Sequence, residues 1–281
     1  MAAKLRGIFL LAFWATLIGI VAPFMIAACL VTGNENAIYS PSRFFIRLGL
    51  RLVGVRVEVR GLEHLDPGQT YIFTPNHQSM IEVPLLVTFL GRNPAYLAKK
   101  EVFKYPIFGF GISLMGVVPV DRSNSVAAIE SARLATEKLR AGKDYVVYPE
   151  GTRSPDGRML PFKKGAFMMA IEAGVPIVPV SISGSSTIMP KGEVKIFPST
   201  IYVTIHEPIN TTGYSRANIS ELVAQTEAKV RSGLSDDEQG PGSRGRASRA
   251  SDLESGVGDQ GSGEKASGVG GQRAGESGPR K

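Results

Sequence analysis

The run Asn76-His77-Gln78-Ser79-Met80-Ile81-Glu82 places a carboxylate five residues after a histidine. Imidazole changes charge near neutral pH, so a neutral His77 can take a proton from an alcohol as a general base. A carboxylate that accepts the other ring N–H fixes the tautomer and stabilises the imidazolium that forms. Ser79-x-x-Glu82 also fits a helix capping box, a purely structural use of the same acid. Pro84 argues for a later helix start, because proline is tolerated only in the first turn. That start frees Glu82 to meet His77. Further on, Glu150-Gly151-Thr152-Arg153 follows Pro149. Glycine permits close backbone approach, and arginine can bind a phosphate through two parallel hydrogen bonds. Arg122, after Pro119-Val120-Asp121, is a second candidate cation, and Lys99, Lys100, Lys163 and Lys164 add to the field. There is neither a Gly-x-Ser-x-Gly elbow nor a phosphate-binding P-loop. A base without a protein nucleophile implies that a substrate hydroxyl attacks directly.

These residues need a scaffold. Val53 to Arg60 alternates apolar and charged residues, the pattern of a half-buried strand. Tyr71 to Thr74 reads as a buried strand leading into Asn76-His77. Val83 to Leu90 is a helix, Ala95 to Ala98 a strand, Phe108 to Met115 a helix and Gly116 to Val120 a strand. Ser125 to Ala141 is a helix with Ile129, Leu134 and Leu139 inward. Asp144 to Tyr148 is a strand that delivers Glu150. A helix over Lys164 to Ala173 ends at Gly174, and strands follow at Val175 to Ser183, Val194 to Phe197 and Ile201 to His206. Ile219 to Arg231 is the last helix. Strands alternating with helices predict an α/β fold, a mixed, mostly parallel sheet flanked by helices. The reactive motifs fall just after strands, where such folds gather ligands.

Three regions are expected: residues 1–39 as a membrane anchor, 40–232 as the folded domain and 233–281 as a disordered tail. The tail has no aromatic residue and too few aliphatic ones to offset the entropy of ordering it. It carries seven Lys/Arg and eight Asp/Glu, so the body carries +8 of a whole-chain charge of +7. A basic body suits an anionic membrane or a phosphorylated ligand. No dense basic run with interleaved aromatics points to nucleic acid. Gly7 to Asn34 has no charged residue, long enough to cross a bilayer and too long for a cleaved signal core. Pro23 lies inside it and basic residues flank both ends, so a single span or a bent hairpin in one leaflet is expected. Either places the domain on the cytoplasmic side. Arg43, Arg47 and Arg51 recur at i+4, either along lipid headgroups or as a solvated stripe on a helix packed against the domain. Cys29 is the only cysteine. His64 and His206 lack neighbours at metal-ligand spacing, and no metal is expected.

Several blocks together resemble the glycerolipid acyltransferases, specifically the 1-acyl-sn-glycerol-3-phosphate acyltransferases. The His-x4-Asp block of that family resembles His77 to Glu82. Gly116-Val-Val-Pro-Val-Asp121-Arg122, Pro149-Glu-Gly-Thr-Arg-Ser154 and Val175-Pro-Ile-Val-Pro-Val180 resemble its other blocks, in the same order. Ala98-Lys-Lys-Glu101 and Pro161-Phe-Lys-Lys-Gly165 extend the likeness across residues 72–184. The resemblance implies that His77 activates the free hydroxyl of lysophosphatidate for attack on an acyl thioester of coenzyme A or acyl carrier protein. Phosphatidate forms at the bilayer, with no cofactor. It also implies that Arg122, Glu150, Gly151, Thr152 and Arg153 hold the glycerol phosphate. Two other expectations are a different lysolipid acceptor and a non-catalytic lipid-binding protein on the same scaffold. The departure is Glu82, where the family usually has aspartate. Its extra methylene moves the carboxylate, and a ~1 Å error in orientation can cost about 100-fold in rate.

Overall fold

The computed structural model describes residues 1–121, 123–190 and 192–240. Arg122 and residues 241–281 of the expected tail lie outside the described residues. In chain order the elements are α1 (Ala2–Thr16), a π-helical turn (Leu17–Val21), α2 (Ala22–Thr32), α3 (Asn36–Leu52), β1 (Arg56–Arg60) and β2 (Ile72–Pro75). Then come α4 (Glu82–Phe89), β3 (Ala95–Lys99), α5 (Pro106–Leu114), β4 (Val118–Val120), α6 (Ser125–Arg140) and β5 (Tyr145–Val146). The last are α7 (Gly165–Ala173), β6 (Ile177–Ser183), α8 (Ser185–Ile188), β7 (Thr200–Ile205) and α9 (Ile219–Ser232).

The seven strands form one sheet in the order β1-β7-β6-β2-β5-β3-β4. β6, β2, β5, β3 and β4 are mutually parallel. β7 runs antiparallel to β6, and β1 pairs parallel to β7. This is the mixed, mostly parallel α/β sheet that the sequence predicts. Its faces follow from strand alternation. Phe73, Val146, Val178 and Val180 face a core shared with Tyr39 and Leu50 of α3 and Leu85 and Leu86 of α4. Ile72, Tyr145 and Ile177 face the other way, against Leu139 of α6, Phe167 of α7 and Leu222 of α9. Burying such a side chain contributes roughly 1.5–3 kcal/mol each.

The helical run from Ala2 to Thr32 is long and apolar enough to cross a membrane. Its π-helical turn lies just before Pro23, whose missing N–H and bulky ring break the regular ladder. Both ends touch the same domain. Ile196 N–H donates to Ala3 C=O at 2.9 Å. At the far end, Glu35 pairs with Lys143 and Asn93 Nδ2 donates to Asn36 Oδ1 at 2.9 Å. At 1.5 Å per residue the run is about 46 Å long. A continuous run held to the domain at both ends lies along it.

Several details differ from expectation. Tyr39, the last residue of the expected anchor, is fully buried in the core within α3, and its hydroxyl donates to Pro94 C=O at 2.9 Å. The domain extends past 232, because Leu234 and Glu238 are buried and Met159 N–H donates to Glu238 C=O at 2.8 Å. Val194 to Phe197 is not a strand. Of the three residues expected inward on α6, only Leu139 is buried; Ile129 and Leu134 are 70% and 39% exposed. A spacing of five turns the helix by about 140° at each step, so these three residues cannot share a face. Ser131, Ala135 and Leu139, at i+4, form the inward row.

α3 packs against the domain with Arg47 and Arg51 exposed, as one of the two expectations has it, but Arg43 and Arg47 also bond to α4. Arg43 Nε donates to Val87 C=O at 3.1 Å, and its Nη2 donates to Arg92 C=O at 2.7 Å and Asn93 Oδ1 at 2.6 Å. Arg47 Nη2 donates to Thr88 C=O at 3.3 Å. The two guanidinium groups thus satisfy last-turn carbonyls of α4, which helix geometry leaves without partners. Arg43→Ala is expected to cost about 1–3 kcal/mol, since several partly buried acceptors lose a charged donor. A thermal-unfolding midpoint equal to wild type for this variant would contradict that role.

Candidate active site

Strand register brings the motifs together. β2 and β5 pair parallel with Ile72 opposite Tyr145. Five residues further along each strand, His77 comes level with Glu150. β3 and β4 pair with Lys99 opposite Val120, so Lys100 comes level with Asp121. Asn76 then ends the ladder. Its Nδ2 donates to Ile182 C=O at 2.8 Å, and its Oδ1 accepts Ile182 N–H at 2.7 Å. The carboxamide replaces one residue of backbone pairing, so the main chain can leave the sheet at His77.

Glu82 is the first residue of α4 and is fully buried. His77 Nδ1 lies 2.7 Å from its Oε2. Its Oε1 accepts the N–H groups of Gln78 and Ser79, each at 2.9 Å, and the hydroxyl of Ser185 at 2.5 Å. The helix start and the catalytic pairing are therefore one arrangement. Glu82 bonds Ser79 N–H as a capping-box acid would, while Ser79 Oγ turns away to Met189 C=O at 2.8 Å. The extra methylene lets the carboxylate span the helix entry and still meet the ring. With Nδ1–H donated to Glu82, Nε2 carries the basic lone pair, and no group among the described residues bonds to it.

Tyr148 stacks on the imidazole, with ring centroids 3.8 Å apart and planes 25° from parallel. The main chain of His77 is held as well. Its N–H donates to Glu150 Oε1 at 2.7 Å, and its C=O accepts Ser154 N–H at 2.8 Å. Glu150 Oε2 accepts Leu160 N–H at 3.1 Å. Glu150, expected beside the glycerol phosphate, is 2% exposed, and both its oxygens bind main chain. It ties its loop to the loop of His77. Burial pushes its carboxyl up to about 8, against the opposing pull of the two N–H donors.

On the cationic side, Ser154 N–H on His77 C=O brings the neighbouring Arg153 to the same strand end. Thr152 on that loop is exposed. Gly151 has φ of 74°, and a β-carbon there would lie 2.9 Å from Lys163 Nζ, so glycine is required and a lysine overhangs the turn. Lys100 is answered by Asp121, whose carboxyl is held down to about 2, first by that hydrogen bond and then by Ser123. Arg122, the next residue, lies outside the described residues. Among the described residues, no cluster of His, Cys, Asp or Glu could hold a metal ion. Sequence reasoning missed Ser185, which lies 103 residues from Glu82 without a pattern to mark it. It also missed a role for Tyr148, although the aromatic stands in the Pro-Glu-Gly-Thr-Arg block.

Residues 56–183 match the family model described as Acyltransferase. The chain is 33% identical to the alpha form of human 1-acyl-sn-glycerol-3-phosphate acyltransferase, over 76% of each chain. It is also 33% identical to a chloroplastic 1-acyl-sn-glycerol-3-phosphate acyltransferase of Arabidopsis thaliana, over 75% of this chain and 60% of that one. Against such plant relatives it spans less than two thirds of their length. Among solved structures it is similar to the 1-acyl-sn-glycerophosphate acyltransferase PlsC of Thermotoga maritima. That match has a TM-score of 0.72 at 30% identity and covers 83% of this chain and 96% of that one. The α/β fold is thus that of an acyltransferase domain. The chain belongs to the family of 1-acyl-sn-glycerol-3-phosphate acyltransferases.

The raised carboxyl of Glu150 has a pH signature. A folded value above the unfolded one means the folded chain binds more protons, so stability is lost as pH rises from about 4.5 to about 8. Glu150→Gln cannot titrate. The wild-type advantage in unfolding free energy over Glu150→Gln should therefore shrink with rising pH, by roughly 1 kcal/mol per pH unit. A constant difference between pH 5 and 8 would show that Glu150 does not hold its proton in the fold.

Proposed function

We propose that this protein moves an acyl chain from an acyl thioester to the free hydroxyl of 1-acyl-sn-glycerol-3-phosphate, giving phosphatidate at a membrane surface. The observation that carries the reading is the 2.7 Å contact between His77 Nδ1 and the buried carboxylate of Glu82. It leaves Nε2 as the base. Nε2 takes the hydroxyl proton while the oxygen attacks the thioester carbonyl carbon. The tetrahedral intermediate collapses, the carbon–sulfur bond breaks, and the departing thiolate takes the proton back from the imidazolium. Glu82 stabilises the imidazolium in between. Positioned general-base catalysis of this kind contributes about 100- to 10,000-fold.

Arg153, with Arg122, the Gly151–Thr152 turn and Lys163, is proposed to hold the acceptor phosphate. Coenzyme A and acyl carrier protein both present the thioester this chemistry needs. The membrane reading is supported by apolar side chains left exposed: Ile8, Phe9, Ile20 and Phe24 along the N-terminal run, and Phe108 and Phe110 on α5. Gly111 of α5 lies beside Ile26 of α2, so the two elements present one apolar surface. Such a surface belongs in lipid rather than water. We propose that this run lies in one leaflet, with the domain on the cytoplasmic side.

Product identification by mass spectrometry tests the activity, using full-length protein in lipid vesicles with lysophosphatidate and either acyl donor. Phosphatidate should form, and His77→Ala and Glu82→Gln should each lose at least ~100-fold in turnover. Equal rates on a monoacylglycerol, which lacks the phosphate, would contradict a phosphate-specific acceptor site. Unchanged turnover in Glu82→Gln would contradict the pair.

A further inference from the structure

We infer that Tyr148 is a positioning residue for His77, acting through its ring face and not through its hydroxyl. This rests on the proposed role of His77 as base. Hydrogen bonds fix the imidazole in its own plane and along its main chain. Glu82 holds Nδ1, Glu150 takes the backbone N–H and Ser154 donates to the carbonyl. Of these, only the Nδ1–Glu82 bond opposes rotation of the ring about its bond to the chain. The stacked phenol ring, 3.8 Å away between centroids, closes off one face and adds a second restraint on that rotation.

The stack has a second consequence. When His77 accepts the substrate proton it becomes a cation lying on the negative face of an aromatic ring. That contact is stronger in the charged state than in the neutral one, so it favours the transition state over the resting enzyme.

The hydroxyl shows the opposite behaviour. Tyr148 Oη is buried without a hydrogen-bond partner. Burial pushes the phenol well above its ordinary value, so it stays neutral and cannot serve as an acid or base near neutral pH. A buried hydroxyl without a partner is a cost to the fold. Its position is explained by the ring it sits on. β5 ends two residues before Tyr148, and Pro149 and the anchored Glu150 follow, so the backbone on both sides holds the ring in place.

The test uses full-length protein with 13C-labelled histidine and three variants, Tyr148→Phe, Tyr148→Trp and Tyr148→Leu. In wild type the ring protons of His77, assigned by loss in His77→Ala, should be displaced upfield by the aromatic current. Phe should keep both that displacement and the turnover number, with thermal stability equal or higher. Leu should lose the displacement and about 10-fold or more in kcat, with KM for the acceptor within about 3-fold. Trp should recover part of both. A Leu variant with wild-type kcat overturns the inference, and so does a Phe variant as impaired as Leu. Wild-type protein that shows the upfield displacement but transfers no acyl group would sink the catalytic reading, and this role with it. An active wild type without the displacement would sink the stack alone.

Discussion

The site depends on one buried carboxylate. Glu82 is fully enclosed and receives a ring N–H, two backbone N–H groups and a hydroxyl. A buried charge is tolerated only when its acceptor sites are met, and here the donors come from two segments far apart in the chain. His77 and the following amides come from the exit of β2, and Ser185 opens α8 after β6. The His77–Glu82 pair is local, and the fold adds the distant Ser185 hydroxyl that completes the set of donors. The cost of leaving any donor out falls on the acid that steers the base.

The supports reach outward from that point. Arg43 and Arg47 of α3 tie down the far end of α4, the helix that begins with Glu82. Glu238 links the end of the described chain to the strand that delivers Ser185, accepting Gly184 N–H at 2.8 Å. α3 braces α4, the helix that begins with Glu82, and packs against α2, part of the run that carries the exposed apolar side chains.

Much of this was legible in the sequence, for definite reasons. His77 and Glu82 lie five residues apart, and Pro84 reports where the helix begins, so their pairing is a local property. The parallel sheet was legible from short apolar runs spaced by helices. Other features depend on partners far along the chain. Ser185 meets Glu82 only through tertiary packing, and the contacts of α3 with α4 turned a stripe that suggested lipid headgroups into a set of helix caps. Glu150 was read as a ligand for substrate because a carboxylate in a loop beside arginine suggests a polar site. Its burial, which the sequence does not encode locally, makes it a tie between loops. On α6, Ile129 and Leu134 looked inward by hydrophobicity alone, yet the small side chains of Ser131 and Ala135 fit closer to the sheet.

The protonation of the His77 ring is the quantity on which everything else turns, and nitrogen NMR of the labelled imidazole reads it directly. At a pH where the ring is neutral, a proton on Nδ1 bonded to Glu82, with Nε2 bare, is the result required. A proton found on Nε2, with Nδ1 unbonded, would mean that the carboxylate does not steer the base and that the proposed chemistry cannot start there.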